Sequence, residues 1–125
     1  MGFNWELYVL LSEKLLSWSE KDLEEACLRT SISRSYYGVF CIARNRLIAK
    51  GVTIPRIDTH KFVREKYQTS QKKVEKKIAK NLRRLWNERK DADYEDKTKI
   101  NIQRAKIAIE LAKRTLKELK KLNRS

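Results

Sequence analysis

Three side chains carry the strongest chemical suggestion in this 125-residue chain: Arg89, Asp93 four positions later, and Tyr94 beside it. An arginine fork matches the oxygens of a phosphate and holds negative charge as it develops. A carboxylate and a phenol nearby can accept or share a proton. If the substrate were RNA, its 2′-hydroxyl would attack the adjacent phosphate, which needs a base and a stabiliser of the added charge. Arg89 then stabilises, Asp93 is the base and Tyr94 a hydrogen-bond partner. Asp93 is a weak base in that role, because a carboxylate beside a guanidinium favours its ionised form. The lone imidazole, His60, has the right intrinsic basicity. At the start of a helix it reads first as a capping or packing residue.

Arg89 matters because of its phase. Val74, Ile78, Leu82 and Leu85 repeat at spacings of four and three, and Arg89 is next on that stripe. Its side chain should therefore begin on the core side, where a group that cannot lose its charge must find an anion or several acceptors. Asp93 and the hydroxyls of another helix are the candidates within the chain, and a ligand phosphate is the candidate from outside.

Those hydroxyls lie in Arg29-Thr-Ser-Ile-Ser-Arg-Ser-Tyr-Tyr-Gly38, the polar middle of a long helix that is otherwise apolar on more than one side. Arg29, Ser33 and Tyr37 are four apart and share a face. They either satisfy one another and a neighbouring helix or line a polar cleft. Ser31, Ser35 and Gly38 are small enough to let a helix approach closely.

Charge points the same way. The formal net charge is +14. Residues 1–58 contribute +1, from 8 basic and 7 acidic side chains. Residues 59–125 contribute +13, from 22 and 9. Such asymmetry suits a polyanion-binding face, since neutralising phosphates releases counterions. The densest stretch, Lys72 to Lys90, holds nine Lys/Arg against Glu75 and Glu88. Lys80, Arg83, Arg84 and Lys90 are the expected nucleic-acid contacts there, joined by Arg29, Ser33, Arg34 and Tyr37. The bland alternative is the wet side of a Lys-rich helix, or a surface for an acidic protein.

The elements that must position these residues are helices. Three Gly and one Pro are too few for the turns of a β-sandwich or barrel. Period and caps predict helices over about Asn4–Ser17, Glu20–Lys50, Thr59–Gln68, Ser70–Arg89 and a last one to Leu122. The first carries Trp5, Tyr8, Leu11 and Leu15 on its inner stripe. Ser19 with Asp22 resembles a capping box for the second, Gly51 stops it, and Leu23, Cys27, Tyr37 and Cys41 form one of its stripes. Thr69 or Ser70 caps the fourth. Asp91–Asp96 is expected to break the chain before the fifth, whose inner side runs Ile102, Ala105, Ile109, Ala112, Leu116 and Leu119. The fold class expected is all-α: one domain over residues 1–125, an antiparallel bundle of four main helices plus a short one.

Other chemistries find little support. One His and two distant cysteines offer no metal cluster. Cys27 and Cys41, on one helix, sit about 21 Å apart and cannot pair. There is no phosphate-cradling Gly loop, no Ser/His/Asp set, no helix-turn-helix and no zinc finger. Trp18 and Trp86 read as core or interface anchors. No apolar run approaches a membrane span and no signal peptide is seen, so a cytoplasmic location without membrane contact is expected.

The segment Arg29–Phe40, the Thr59-His60 start of the third helix, and Arg89-Lys-Asp-Ala-Asp-Tyr94 together resemble HEPN domains (higher eukaryotes and prokaryotes nucleotide-binding), in a branch with an Arg-x-x-Ala-Asp-Tyr signature. The resemblance covers nearly the whole chain in order and spacing. It implies a helical bundle that often dimerises. Ribonuclease members place a His four to six residues after the Arg, face two such motifs across one cleft, and cut RNA without metal or other cofactor. They often serve as toxins in toxin–antitoxin or defence systems, beside a minimal nucleotidyltransferase antitoxin. In some, a Tyr near the motif receives nucleotide groups from that partner, which would be Tyr94 here. This chain has Asp93 where that His would stand, and Lys90 in place of a small polar residue. The resemblance therefore implies either a variant ribonuclease or a non-catalytic nucleotide- or RNA-binding module.

Overall fold

The computed structural model describes residues 2–18 and 20–123. Five helices follow one another: α1 Glu6–Leu16, α2 Glu24–Ala49, α3 Thr59–Gln68, α4 Lys73–Tyr94 and α5 Ile102–Asn123, with a 3₁₀ turn at Lys21–Leu23 ahead of α2. Among the described residues there is no strand. The expected Ser19 cap lies outside the described residues. The long second helix begins later than its apolar pattern suggests, and Leu23 is exposed in the 3₁₀ turn.

α2 is the central element, in contact with each of the other helices. Its core side chains Leu28, Ile32, Tyr36, Val39, Phe40, Ala43 and Leu47 are buried around most of its circumference. The small residues do what their size allows. Ser31 donates to the Ser12 carbonyl of α1 at 2.8 Å. A Cβ on Gly38 would stand 2.9 Å from Val9 Cγ2 and 3.0 Å from the Trp5 carbonyl, so α1 could not lie this close. Gly51 ends α2 as expected. At φ 91° its N–H donates to the Ile48 carbonyl and that of Val52 to Leu47, closing both carbonyls with a left-handed residue that costs Gly little.

Two expected phases are corrected. In α1 the buried positions are Val9 and Ser12, while Leu11 is 44% exposed. Aliphatic and aromatic residues occur all round this helix, so period alone could not choose its inner side. In α5 the inner stripe is Ala105, Ile109, Ala112, Leu116 and Leu119, but Ile102 lies at the surface end.

The chain break also moves. α4 does not stop near Arg89; it continues to Tyr94, and the connection is residues 95–101. Acids near a helix C-terminus oppose its dipole. Here they are neutralised from outside: Arg104 of α5 binds Glu88 at 2.7 Å and also Asp91. Ala92 is buried, which anchors the extra turn. α4 begins at Lys73, and Ser70 serves its start by accepting from the Lys72 N–H and bonding Glu75.

Candidate functional site

The apolar stripe of α4 runs Ile78, Leu82, Leu85, all fully buried, and ends in Arg89, which is 6% exposed. The extended helix places Asp93 one turn beyond, where Arg89 Nη1 lies 3.4 Å from Asp93 Oδ2. The same nitrogen donates to the Tyr37 hydroxyl at 3.1 Å. Arg89 Nε is buried without a hydrogen-bond partner. Aromatic rings replace it: the guanidinium carbon lies 4.3 Å from the Trp86 centroid, 5.4 Å from Tyr37 and 5.5 Å from Tyr94. Ring faces attract a cation but cannot accept a strong hydrogen bond from every N–H.

Three positions of α2 read along the end of α4, in antiparallel order. Tyr37 meets Arg89, and Ser33 donates to Asp93 Oδ2 at 3.2 Å. Arg29 reaches past them to the corner. Its Nη1 donates to the carbonyls of Asp91 and Ala92, its Nη2 to those of Glu95 and Thr98, and its Nε to Glu25. Arg29 therefore ties the last turn of α4 to the connection that follows it, bonding carbonyls on both sides of the helix end. This is the physical reason it stands apart from the other expected ligand contacts. Arg34 belongs to the cluster: it stacks over Tyr37 and Tyr8 and donates to Ser33 Oγ at 3.2 Å.

The structure adds His60 and Tyr36. His60 of α3 shares a 2.5 Å hydrogen bond with the Tyr36 hydroxyl through Nδ1. Its ring packs on Phe40 at 4.1 Å and Trp86 at 4.7 Å, the ring that also carries Arg89. Burial first, then the charges of Arg89 and Arg64, push its pKa down to about 4. Its near-neutral basicity is thus lost, and it stands uncharged at neutral pH. Burial likewise raises the Tyr36 phenol well above its ordinary range, so it remains an O–H. Tyr36 adjoins Tyr37 and Trp86 sits three residues before Arg89, a helical neighbour spacing that pointed toward the site. Nothing local in the sequence pointed α3 at α4.

The expected basic residues divide. Lys80 and Arg83 line a groove between α3 and α4. Arg84 faces α5 instead, in a cleft with Glu88 and Arg104. Lys90 is exposed with its ammonium 6.0 Å from the Trp86 centroid. Tyr94 is 67% exposed at the rim. Among the described residues no group of three His, Cys, Asp or Glu could hold a metal ion.

This helix order, with an inward Arg just before Ala-Asp-Tyr, is the arrangement the resemblance implies, and residues 6–122 match the HEPN domain family. The chain belongs to the HEPN family. No curated protein matches it closely enough to be counted a relative. HEPN membership carries a nucleotide- or RNA-related function, and in the Arg89 cluster a buried cation meets several aromatic rings. The chemistry open to it is attraction of a phosphate by the charge of Arg89, with Asp93, Tyr37 and Tyr94 around it; Nε itself is closed off from solvent. Among the described residues no helix is long and apolar enough to cross a membrane.

Proposed function

We propose that this HEPN protein is an RNA-directed effector of the metal-independent ribonuclease type, a homodimer whose two Arg89 clusters share one cleft. The observation that carries the reading is the Arg89 guanidinium, buried, on the core stripe, with Nε lacking an acceptor. An unpaired buried donor costs about 1–3 kcal/mol, which an acceptor brought by a ligand would offset. In cleavage, the 2′-hydroxyl gives its proton to Asp93, the O2′–P bond forms, the P–O5′ bond breaks and O5′ takes a proton. The products are a 2′,3′-cyclic phosphate and a 5′-hydroxyl. Arg89 stabilises the phosphate oxygens as they gain charge.

As a toxin-like effector it would need restraint. Tyr94 at the rim is the exposed hydroxyl for transfer of a nucleotide group by a minimal nucleotidyltransferase partner. A bulky anion there would cover the mouth above Arg89. The test is expression of the wild type and Arg89→Ala in growing cells, with total RNA and growth followed. Cleavage by the wild type alone is expected; intact RNA and equal growth from both reject the ribonuclease reading. Mass spectrometry of Tyr94 after co-expression with the partner tests restraint, and an unmodified Tyr94 rejects it.

One observation favours a second reading, a non-catalytic nucleotide- or RNA-binding module. Asp93 is already engaged by Arg89 and Ser33, and His60 is held at a pKa of about 4, so no strong base is free. In that case purified protein binds RNA, Arg89→Ala weakens binding, and no cyclic-phosphate ends accumulate.

A further inference from the structure

Two cavities meet at Arg64, on α3. One, of about 420 Å³, opens at the start of α3 beside Arg56, Lys61 and Trp86. The other, of about 280 Å³, continues along the α3–α4 seam past Lys76, Lys80 and Arg83. Arg64 lines both. Its Nη1 is buried without a hydrogen-bond partner, and its guanidinium carbon lies 5.5 Å from the Trp86 centroid. That ring is shared with Arg89. The seam is thus continuous with the Arg89 cluster through one indole.

Counter-charge is scarce along this path. Asp58 is the one carboxylate among the residues lining the two cavities. Lys61 pairs loosely with Glu65 at 3.9 Å, whereas Arg56, Lys76, Lys80 and Arg83 make no ion pair among the described residues. Elsewhere on α4 the basic face is different: Lys77 finds Glu118 of α5. A merely solvated helix face would mix its charges along the seam as well.

Geometry narrows the ligand. Lys76 to Arg83 spans about 10 Å of α4 and Arg89 lies roughly 9 Å further on, too long for one nucleotide. The two recesses hold about 280 and 420 Å³, too little for a duplex to enter. Duplex RNA is instead gripped across its wide, shallow minor groove by elements that project into it.

We propose that the α3–α4 seam is a track for single-stranded RNA, leading over Arg64 into the Arg89 cluster, so that the ligand is an unpaired run of several nucleotides. This rests on the RNA-directed reading above and extends its site. An acidic protein surface is the competing partner. RNA is favoured because the path sets its cations beside the Trp86 ring, which lines the cavity next to Arg64 and offers a stacking face that a base can use and a flexible acidic tail cannot.

The experiment uses the full chain and fluorescence anisotropy across a salt series. The probes are oligouridines of about 3 and about 12 nucleotides, an RNA duplex of similar length, and polyglutamate as competitor. Lys76→Glu, Lys80→Glu and Arg83→Glu are combined, all at exposed positions. Lys106→Glu, Lys117→Glu and Lys121→Glu on α5 make a variant of equal net charge. Circular dichroism confirms that both fold.

The wild type is expected to bind the longer strand roughly tenfold or more tighter than the shorter. The seam variant loses that advantage, and its log–log salt slope falls by about 2. The α5 variant keeps both. Equal weakening by the α5 variant, no dependence on length, equal binding of the duplex, or displacement of RNA by polyglutamate at matched charge would each overturn the track. The two readings fail separately. A wild type that binds with length dependence but never cleaves loses the ribonuclease reading and keeps the track. A seam variant that binds like the wild type loses the track and leaves cleavage at Arg89 standing.

Discussion

Two arginines meet at the end of α4 and are used in opposite ways. Arg29 comes from α2, and each of its guanidinium nitrogens donates to a carbonyl or to Glu25. Arg89 belongs to α4 itself, shares one nitrogen between Tyr37 and Asp93, and keeps Nε buried without an acceptor among four aromatic rings. Both were expected to contact a nucleotide. The difference lies in saturation. A guanidinium whose nitrogens are all engaged within the fold holds a corner of it, and has little left for a ligand. One with an unspent donor in a low-dielectric aromatic setting is poised to gain from an anion.

Activity should separate them most. Arg89→Ala is expected to lower RNA cleavage by about 100-fold or more, the usual effect of removing a stabiliser of developing charge. Arg29→Ala, assayed where it remains folded, should retain cleavage within about tenfold. Gel analysis of RNA with the purified proteins measures both, and equal losses would erase the distinction.

Stability should reverse the order. Arg29→Ala removes four hydrogen bonds at the α4–α5 corner and is expected to cost about 2–3 kcal/mol in urea unfolding. Arg29→Lys should not rescue it, since an ammonium cannot span four carbonyls. Arg89→Met replaces a poorly satisfied charge with an apolar chain and should be neutral or slightly stabilising.

A pH series sharpens the Arg89 side. His60 has a pKa of about 4 in the fold, against an ordinary value near 6.5. Below about pH 6.5 the unfolded chain binds a proton that the folded chain refuses. This contribution is therefore complete above the ordinary value and is lost as pH falls toward 4. Allowing for partial exposure of the ring, it amounts to about 1–2 kcal/mol. His60→Asn should flatten the stability curve in that window, and an unchanged slope would show that burial and the charges of Arg89 and Arg64 do not depress His60. The smallest effect is expected from Tyr37→Phe, which deletes one hydrogen bond to Arg89. RNA affinity should fall by less than about tenfold.

Much of this site was legible in α4. Ile78, Leu82 and Leu85 fixed the phase, and the phase turned Arg89 inward. The spacing of Ser33 and Tyr37 placed both on the side of α2 that meets it. Other features were not legible. The acidic run after Arg89 reads as a break, because Arg104 lies a whole loop away and its neutralisation of Glu88 and Asp91 is not local. In α1 Trp5 and Tyr8 do face the core side, but Leu11 was misplaced there, because Leu7, Leu10 and Leu11 are apolar yet exposed. His60 packs, as a lone His at a helix start suggested, but its place beside the Arg89 cluster was not legible, since period describes one helix at a time and says nothing of which helix end will lie beside another.

By itself the sequence determined an all-helical chain, the burial of Arg89 and the concentration of positive charge after residue 58. Those are properties of local period and composition, which the backbone geometry of a helix converts directly into faces. Only the tertiary structure decided that Arg29 would be consumed by the α4–α5 corner, that His60 would lose its basicity, and that Arg64 would link a basic seam to the Arg89 cluster. Each depends on the separation of groups far apart in the chain, and burial, pairing and charge repulsion are functions of that distance alone.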